Sequence, residues 1–194
     1  MKHLGRKLYH VLGGVGLLSL YYVMGRDKAL LFYGLFFLIV IAADIARLKV
    51  PAINRFVFTR FGNFIRESEK NKLTGTPPYV LGIGLSLFLY SHEIATAAIC
   101  FLAFGDVAAT TIGERYGKTR IGDKSMEGTI AFAIAAMIVG FVLVSASMNL
   151  PITVIMIGAI ISAGVELIPL PLNDNLVIPV VSGGVMELAL KLIR

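Results

Sequence analysis

The run Thr129-Ile130-Ala131-Phe132-Ala133-Ile134-Ala135-Ala136-Met137-Ile138-Val139-Gly140-Phe141-Val142-Leu143-Val144-Ser145-Ala146 contains no charged residue. As a helix it rises about 1.5 Å per residue, so its length approaches the roughly 30 Å of bilayer hydrocarbon. The run is apolar on every face, without the alternation of a membrane β-strand. Lipid offers no partner to an unpaired backbone amide, so a helix is the element that satisfies such a segment. Six more apolar segments flank it, at 8–24, 29–46, 79–90, 94–112, 152–170 and 176–193. The expected fold is an all-α polytopic membrane helical bundle of about seven transmembrane segments. Segment 79–90 is short and carries Gly82 and Gly84, so six crossings is the alternative.

Composition agrees. Only 15% of the 194 residues are charged and 57% are hydrophobic. A soluble domain carries roughly a quarter charged residues, so the shortfall leaves too little polar surface for water on all sides. The net charge of +6 would suit nucleic acid in a soluble chain. Here it reads as basic loops at one membrane face, and no nucleic-acid partner is expected. With seven spans, alternate loops put fourteen of the 18 Lys and Arg residues on one side, which predicts a cytoplasmic N-terminus. Tyr21-Tyr22-Val23-Met24 lacks the small-x-small pattern of signal cleavage, so the first run is expected to stay as a spanning helix. The lone Cys100 lies in an apolar run and reads as a small buried side chain.

Between the second and third segments, Pro51 restarts the chain. Phe56, Val57, Phe61, Phe64 and Ile65 recur at roughly helical spacing, interleaved with Arg55, Arg60 and Arg66. This predicts an amphipathic cytoplasmic interfacial segment at about 51–66. No second domain or repeat is visible, so 1–194 reads as a single integral membrane catalytic domain.

The dense polar motifs all fall on the basic side: Arg6-Lys7-x-x-His10, Asp44-x-x-Arg47, 67–78, 105–128 and Glu166 to Pro179. Ionisable residues at a membrane interior are costly and mark function by default. The richest stretch is Gly105-Asp106 followed by Gly113, Gly117-Lys118 and Lys124-Ser125-x-Glu127-Gly128. Gly105, Ala109, Gly113 and Gly117 form a small-residue stripe that packing alone would explain. Lys118, Arg120 and Lys124 beside those glycines suit a wrap around polyphosphate. Residues 113–119 resemble a P-loop but are one residue short and follow a membrane helix, which excludes Walker A. Asn173-Asp174-Asn175 is either a polar turn or a Mg²⁺ site, since that ion takes a few carboxylate or carbonyl oxygens plus phosphate. Arg6, Lys7 and His10 share a helical face, as do Asp44 and Arg47, readable as an interfacial anchor and an ion pair respectively.

At these residues the chain resembles the family of CTP-dependent lipid kinases that includes dolichol kinase, phytol kinase and the yeast-type diacylglycerol kinase. The matching stretches are Arg6-Lys7-x-x-His10, Lys72-x-Thr74-Gly75-x-x-x-Tyr79-x-Leu81-Gly82, 105–128, and Glu166 through Ser182. The middle motif is also similar to that of the CDP-diacylglycerol synthases. Their C-terminal Gly-His-Gly-Gly and Asp-Arg-x-Asp signature is missing, and Asn173-Asp174-Asn175 stands in its place. The resemblance implies phosphoryl transfer from CTP to the hydroxyl of a membrane lipid alcohol, at a site facing the cytoplasm. Expected catalytic residues are Asp106, Glu127 and Asp174, with Glu127 or Asp106 as base. Asp106 and Asp174 would hold Mg²⁺ or another divalent cation. Gly117, Lys118, Lys124, Ser125, Asn175 and Lys72 would meet the nucleotide. Arg6, Lys7, His10, Asp44, Arg47, Glu166 and Asn173 would meet substrate or interface. The expected partners are the lipid alcohol, CTP and membrane lipids, with a homodimer left open. The rivals are a CDP-lipid synthase, separable by product, and a small membrane transporter, which would thread polar residues to both faces.

Overall fold

The computed structural model of the chain describes residues 4–193. In chain order the helices are α1 (Leu4–Met24), α2 (Arg26–Lys49), α3 (Pro51–Phe61), α4 (Thr76–Leu89), α5 (His92–Tyr116), α6 (Met126–Ser145), α7 (Ile152–Leu167) and α8 (Asp174–Ile193). A two-stranded hairpin, β1 (Arg120–Ile121) and β2 (Lys124–Ser125), joins α5 to α6. Each of the seven expected apolar segments forms a helix, but that of 152–170 ends at Leu167, just before Pro169 and Pro171. Helices α2, α5, α6 and α8 are long and apolar enough to cross a bilayer, while α4 and α7 are shorter apolar helices.

The bundle is built around α5, which packs against α1, α4, α6, α7 and α8. Every residue from Ile94 to Ala103 is buried. The outer helices show the reverse. Leu31, Leu35, Leu38 and Ile39 on α2, and Ile130, Ile134, Ile138 and Phe141 on α6, are all more than half exposed. Water would penalise so much contiguous apolar surface, whereas hydrocarbon accepts it. The chain is an integral membrane protein.

Small residues set the close approach of α5 and α6. A Cβ added at Gly105 would lie 2.6 Å from the Phe132 ring, and one at Gly128 would lie 2.9 Å from the Ala109 carbonyl. The stripe is therefore a packing seam along most of its length.

Two features of the sequence have an outcome that local propensity does not give. Pro179 lies inside α8 rather than ending it. Its ring nitrogen cannot donate to the Asn175 carbonyl four residues back. Gly82 brings the α4 backbone against that same carbonyl, so close that any Cβ there would overlap it and lie 3.1 Å from Leu176 Cα. Gly82 is thus a contact residue of α4 with α8, where the sequence suggested a weak helix. Gly82→Ala is expected to lower stability by about 1–3 kcal/mol, because neither backbone can yield cheaply. Gly34→Ala, where no atom lies within 4 Å of the added carbon, is expected to leave it unchanged or slightly raised. Thermal unfolding of both variants in detergent checks the contrast.

Helix α3 has no buried residue. It is tied to the bundle through Arg47, whose guanidinium donates to Asp44, to Asn54 Oδ1 and to the carbonyls of Glu69, Lys70 and Lys72. Asp44 also accepts from the Thr74 amide and hydroxyl. Asp44 and Arg47 are both buried, so this network lets two charges sit at the end of α2 with their hydrogen bonds made. Its consequence is positional: it fixes the loop that brings Thr74, Gly75 and Thr76 against the start of α8.

Candidate active site

Two adjoining cavities, of about 290 and 340 Å³, open between the C-terminal half of α5, the N-terminal ends of α1, α6 and α8, and the 62–76 loop. Arg6, Arg66, Asp106, Asp123 and Lys124 line both. The cavities therefore form one cleft with a shared polar wall.

Asp106 comes from α5, just past the middle of the helix, after the apolar run Ala97–Gly105. It is 7% exposed. His10 of α1 faces it, with Nδ1 3.8 Å from Asp106 Oδ2, too long for a hydrogen bond. That Nδ1 is buried and has no partner. The His10 ring is itself fixed: its centroid is 4.7 Å from that of Tyr79, whose hydroxyl donates to the His10 carbonyl.

Lys124 is delivered by the hairpin. Gly122 takes a left-handed φ of 59°, which lets the chain reverse between Ile121 and Lys124. The Lys124 ammonium then donates to Glu166 Oε1 at 2.9 Å and to Asp174 Oδ2 at 2.6 Å. Glu166 is 4% exposed and also accepts from Thr129 Oγ1 at 3.0 Å. Burial alone pushes the ammonium down, but the carboxylates of Asp174 and Glu166 outweigh it and hold Lys124 above its ordinary value. Lys124 is consequently a fixed cation throughout the neutral range.

Asp174 sits in the first turn of α8, where a carboxylate is favoured by the helix dipole. Asn173 caps that helix, its Oδ1 accepting from the Asn175 amide at 3.0 Å. Asn175 Nδ2 donates to the Gly75 carbonyl at 3.0 Å, which joins α8 to the loop held by Arg47. The two asparagines thus position Asp174. Ser125 caps α6, accepting from the Gly128 amide at 3.1 Å, and lines the larger cavity.

The structure brings Arg6, His10, Asp106, Lys124, Ser125, Glu166, Asn173, Asp174 and Asn175 to the cleft. Other candidate residues lie outside its walls. Lys118 and Lys72 are exposed. Gly117 packs on Ser125, with an added Cβ 2.7 Å from its hydroxyl. Lys7 pairs with Glu114 at 3.1 Å. Asp44 and Arg47 belong to the loop network. Glu127 accepts from the Thr119 amide at 3.2 Å and so braces the hairpin. Sequence reasoning did not pick out Tyr9, Glu69 or Asp123 as cleft residues. Asp123 lies beside Gly122 in a short turn, and nothing in the local sequence shows that the turn folds inward.

The chain is 30% identical to the CTP-dependent diacylglycerol kinase 1 of Schizosaccharomyces pombe over 160 residues, 75% of this chain and 73% of that protein. The chain belongs to the CTP-dependent lipid kinase family. It is also 30% identical over 132 residues to the CTP-dependent diacylglycerol kinase 1 of Saccharomyces cerevisiae, covering 65% of this chain and 45% of that one. With the phytol kinase of a Synechocystis species it shares 34% identity over 124 residues, 58% of this chain and 53% of that one. No family model matches the chain, and no solved structure does.

The cleft's donor set also bears on a metal. Among the described residues no three His, Cys, Asp or Glu side chains group as a preformed metal cage. Asp106 and Asp174 supply carboxylate oxygens to one cavity, without sulfur or a free imidazole cluster. That set fits Mg²⁺, which binds through one or two carboxylates and completes its shell with water and substrate phosphates.

Proposed function

We propose that the chain transfers the γ-phosphoryl group of CTP to the hydroxyl of a membrane lipid alcohol, in the cleft around Asp106, Lys124 and Asp174. The observation that carries this reading is the meeting of Asp106 and Asp174, 68 positions apart in sequence, on one cavity beside Lys124. The names of the relatives supply the donor and the acceptor class.

The acceptor oxygen forms a bond to the γ-phosphorus as the bridging bond to the β-phosphate breaks, releasing CDP. The transition state is loose, with charge spread over the transferring oxygens, so positioning and electrostatics supply most of the catalysis. Lys124, held by two carboxylates, is a preorganised cation for that charge and needs no reorientation. Arg6 and Arg66 add cationic side chains on the same wall. The hydroxyl proton passes to Asp106, the buried carboxylate of the shared wall. Glu127, engaged with the hairpin backbone, does not serve as base. Asp106 and Asp174 would hold Mg²⁺, which when bound neutralises phosphate charge. The fourteen-to-four charge asymmetry supports a cleft facing the cytoplasm, where CTP is available, with α3 lying along the headgroups.

Purified protein in detergent micelles, given γ-labelled CTP and diacylglycerol or phytol, is expected to yield labelled lipid phosphate and CDP. A CDP-lipid with pyrophosphate release, formed from a lipid phosphate instead, would replace this reading with cytidylyl transfer.

A further inference from the structure

We infer that α3, together with Lys49, is a docking surface for anionic phospholipid headgroups, and that this contact sets the loop that walls the cleft. The surface stands apart from the kinase reading, and only the rate measurement below rests on that reading.

The charge of the segment is one-sided. From Ile45 to Arg66 the chain carries Arg47, Lys49, Arg55, Arg60 and Arg66, and no Asp or Glu. Arg47 is answered by Asp44. Among the described residues Lys49, Arg55 and Arg60 form no ion pair with protein, and all three are exposed. A basic cluster directly following a spanning helix is the chemistry that recognises an anionic leaflet, and each cation near such a surface strengthens the attraction about fivefold. Zwitterionic headgroups carry no net charge to match it.

The apolar side chains say where the partner lies. Ile53, Phe56 and Arg60 follow one another at helical spacing and share a face of α3. Ile53 is 41% exposed and Phe56 59%. The attachment to the rest of the protein is on another face, where Arg47 lies over the Phe58 ring and donates to Asn54 Oδ1. A helix this short is marginal in water, and α3 has no buried residue, so its fold and place call for a second surface. Lipid already reaches this level: Ile45 and Leu48, in the last turns of α2 beside Lys49, are exposed apolar residues. A headgroup layer meets the face fully, with Phe56 and Ile53 at the acyl boundary and the Arg60 stem along them, its guanidinium among phosphates. Arg55 is on the opposite face. The helix is about 10 Å across, within reach of a surface potential that decays over about 8–10 Å.

The position of α3 is passed to the cleft by two side chains. Asn54 of α3 accepts from Arg47 at 3.0 Å and donates to the Lys70 carbonyl at 2.9 Å. Arg47 donates onward to the carbonyls of Glu69 and Lys72. The loop so held carries Arg66, Glu69, Thr74 and Gly75 into the wall of the 290 Å³ cavity. Docking of α3 on an anionic surface thus steadies that wall, and release of α3 loosens it.

The chain has no tryptophan, so Phe56→Trp supplies a single reporter on the docking face. The full-length variant in nanodiscs of equimolar phosphatidylcholine and phosphatidylglycerol is expected to show stronger quenching when the bromines are on phosphatidylglycerol than when they are on phosphatidylcholine. Adding Lys49→Gln/Arg55→Gln/Arg60→Gln should abolish that preference. Equal quenching by the two lipids in the parent overturns the selectivity. Emission typical of water, unquenched by either lipid, overturns the membrane contact itself and leaves the face to a protein partner. Amide exchange at Lys70, Lys72 and Thr74 should slow when phosphatidylglycerol is included, and unchanged exchange overturns the link to the loop. With diacylglycerol and CTP, the initial rate is expected to be about fivefold higher in the anionic nanodiscs, and the triple variant should keep the rate seen in phosphatidylcholine alone but lose the rise. A rise retained by the triple variant overturns the assignment to these residues. A parent protein that makes no lipid phosphate in either membrane removes the kinase reading, and the quenching and exchange results still decide the surface.

Discussion

Asp106→Asn is expected to reduce lipid phosphate formation by about a thousandfold or more while leaving the folded protein about as stable as the parent. The two halves of that expectation have different causes. Asp106 lines both cavities, is 7% exposed, and has its closest ionic partner, His10, at 3.8 Å. The asparagine keeps its size but not its charge, so a ligand for the cation that would neutralise phosphate charge and the proposed proton acceptor are lost together. Removing one well-placed electrostatic group from an active site costs on the order of 10²–10³ in kcat, and Asp106 is assigned two such roles. Stability should change little: among the described residues Asp106 accepts no hydrogen bond that an asparagine would break, and the attraction it loses to Arg6, Arg66 and Lys124 on the shared wall is offset by the lower cost of burying a neutral amide. Turnover with CTP and diacylglycerol, set beside the thermal midpoint in detergent, reads both. Activity within tenfold of the parent, or a collapsed midpoint, would show that Asp106 is structural.

Lys124→Met is expected to lose both activity and stability. The ammonium is the hydrogen-bond partner that Glu166 and Asp174 share. Without it Glu166 keeps Thr129 as a donor but remains a buried carboxylate close to a second one. Removing one partner of a buried ion pair costs about 3–5 kcal/mol, and the partial exposure of Lys124 places this case toward about 2–3 kcal/mol. A second substitution separates the roles. Glu166→Gln in the Lys124→Met background removes the unpaired buried charge and is expected to restore most of the stability. It cannot restore the cation that faces the transferring phosphoryl group, so activity stays lost. A double variant that regains activity with stability would mean that Lys124 acts only as a brace.

How far the site was legible depends on how each residue is held. Asp106, Lys124 and Asp174 could be named from the sequence because each is an ionisable residue at the edge of an apolar run, where its cost demands a use. The same logic also singled out Lys118 and Glu127, which lie outside the cleft walls. Both belong to the same motif as Lys124, and the motif does not say which side chains the hairpin turns inward. The pairing Ile121↔Lys124 and the left-handed Gly122 decide that, and they send Lys124 into the cleft while Glu127 turns back to the Thr119 amide. Asp44 and Arg47 read equally well as site or ion pair. Only the arrival of the carbonyls of Glu69, Lys70 and Lys72 at the guanidinium showed that this pair holds a loop.

By itself, the sequence determined the membrane class, the positions of the apolar helices and the concentration of polar motifs at one end of them. These follow from hydropathy and turn chemistry, which are properties of short stretches of chain and need no knowledge of neighbours. The tertiary structure decided which charges meet, that Pro179 and Gly82 sit at one helix contact, and that Asp106 and Asp174 line one cavity beside Lys124. Each of these depends on groups far apart in sequence being brought within a few ångströms, and burial there fixes whether a carboxylate is paired, braced or left facing an open cavity.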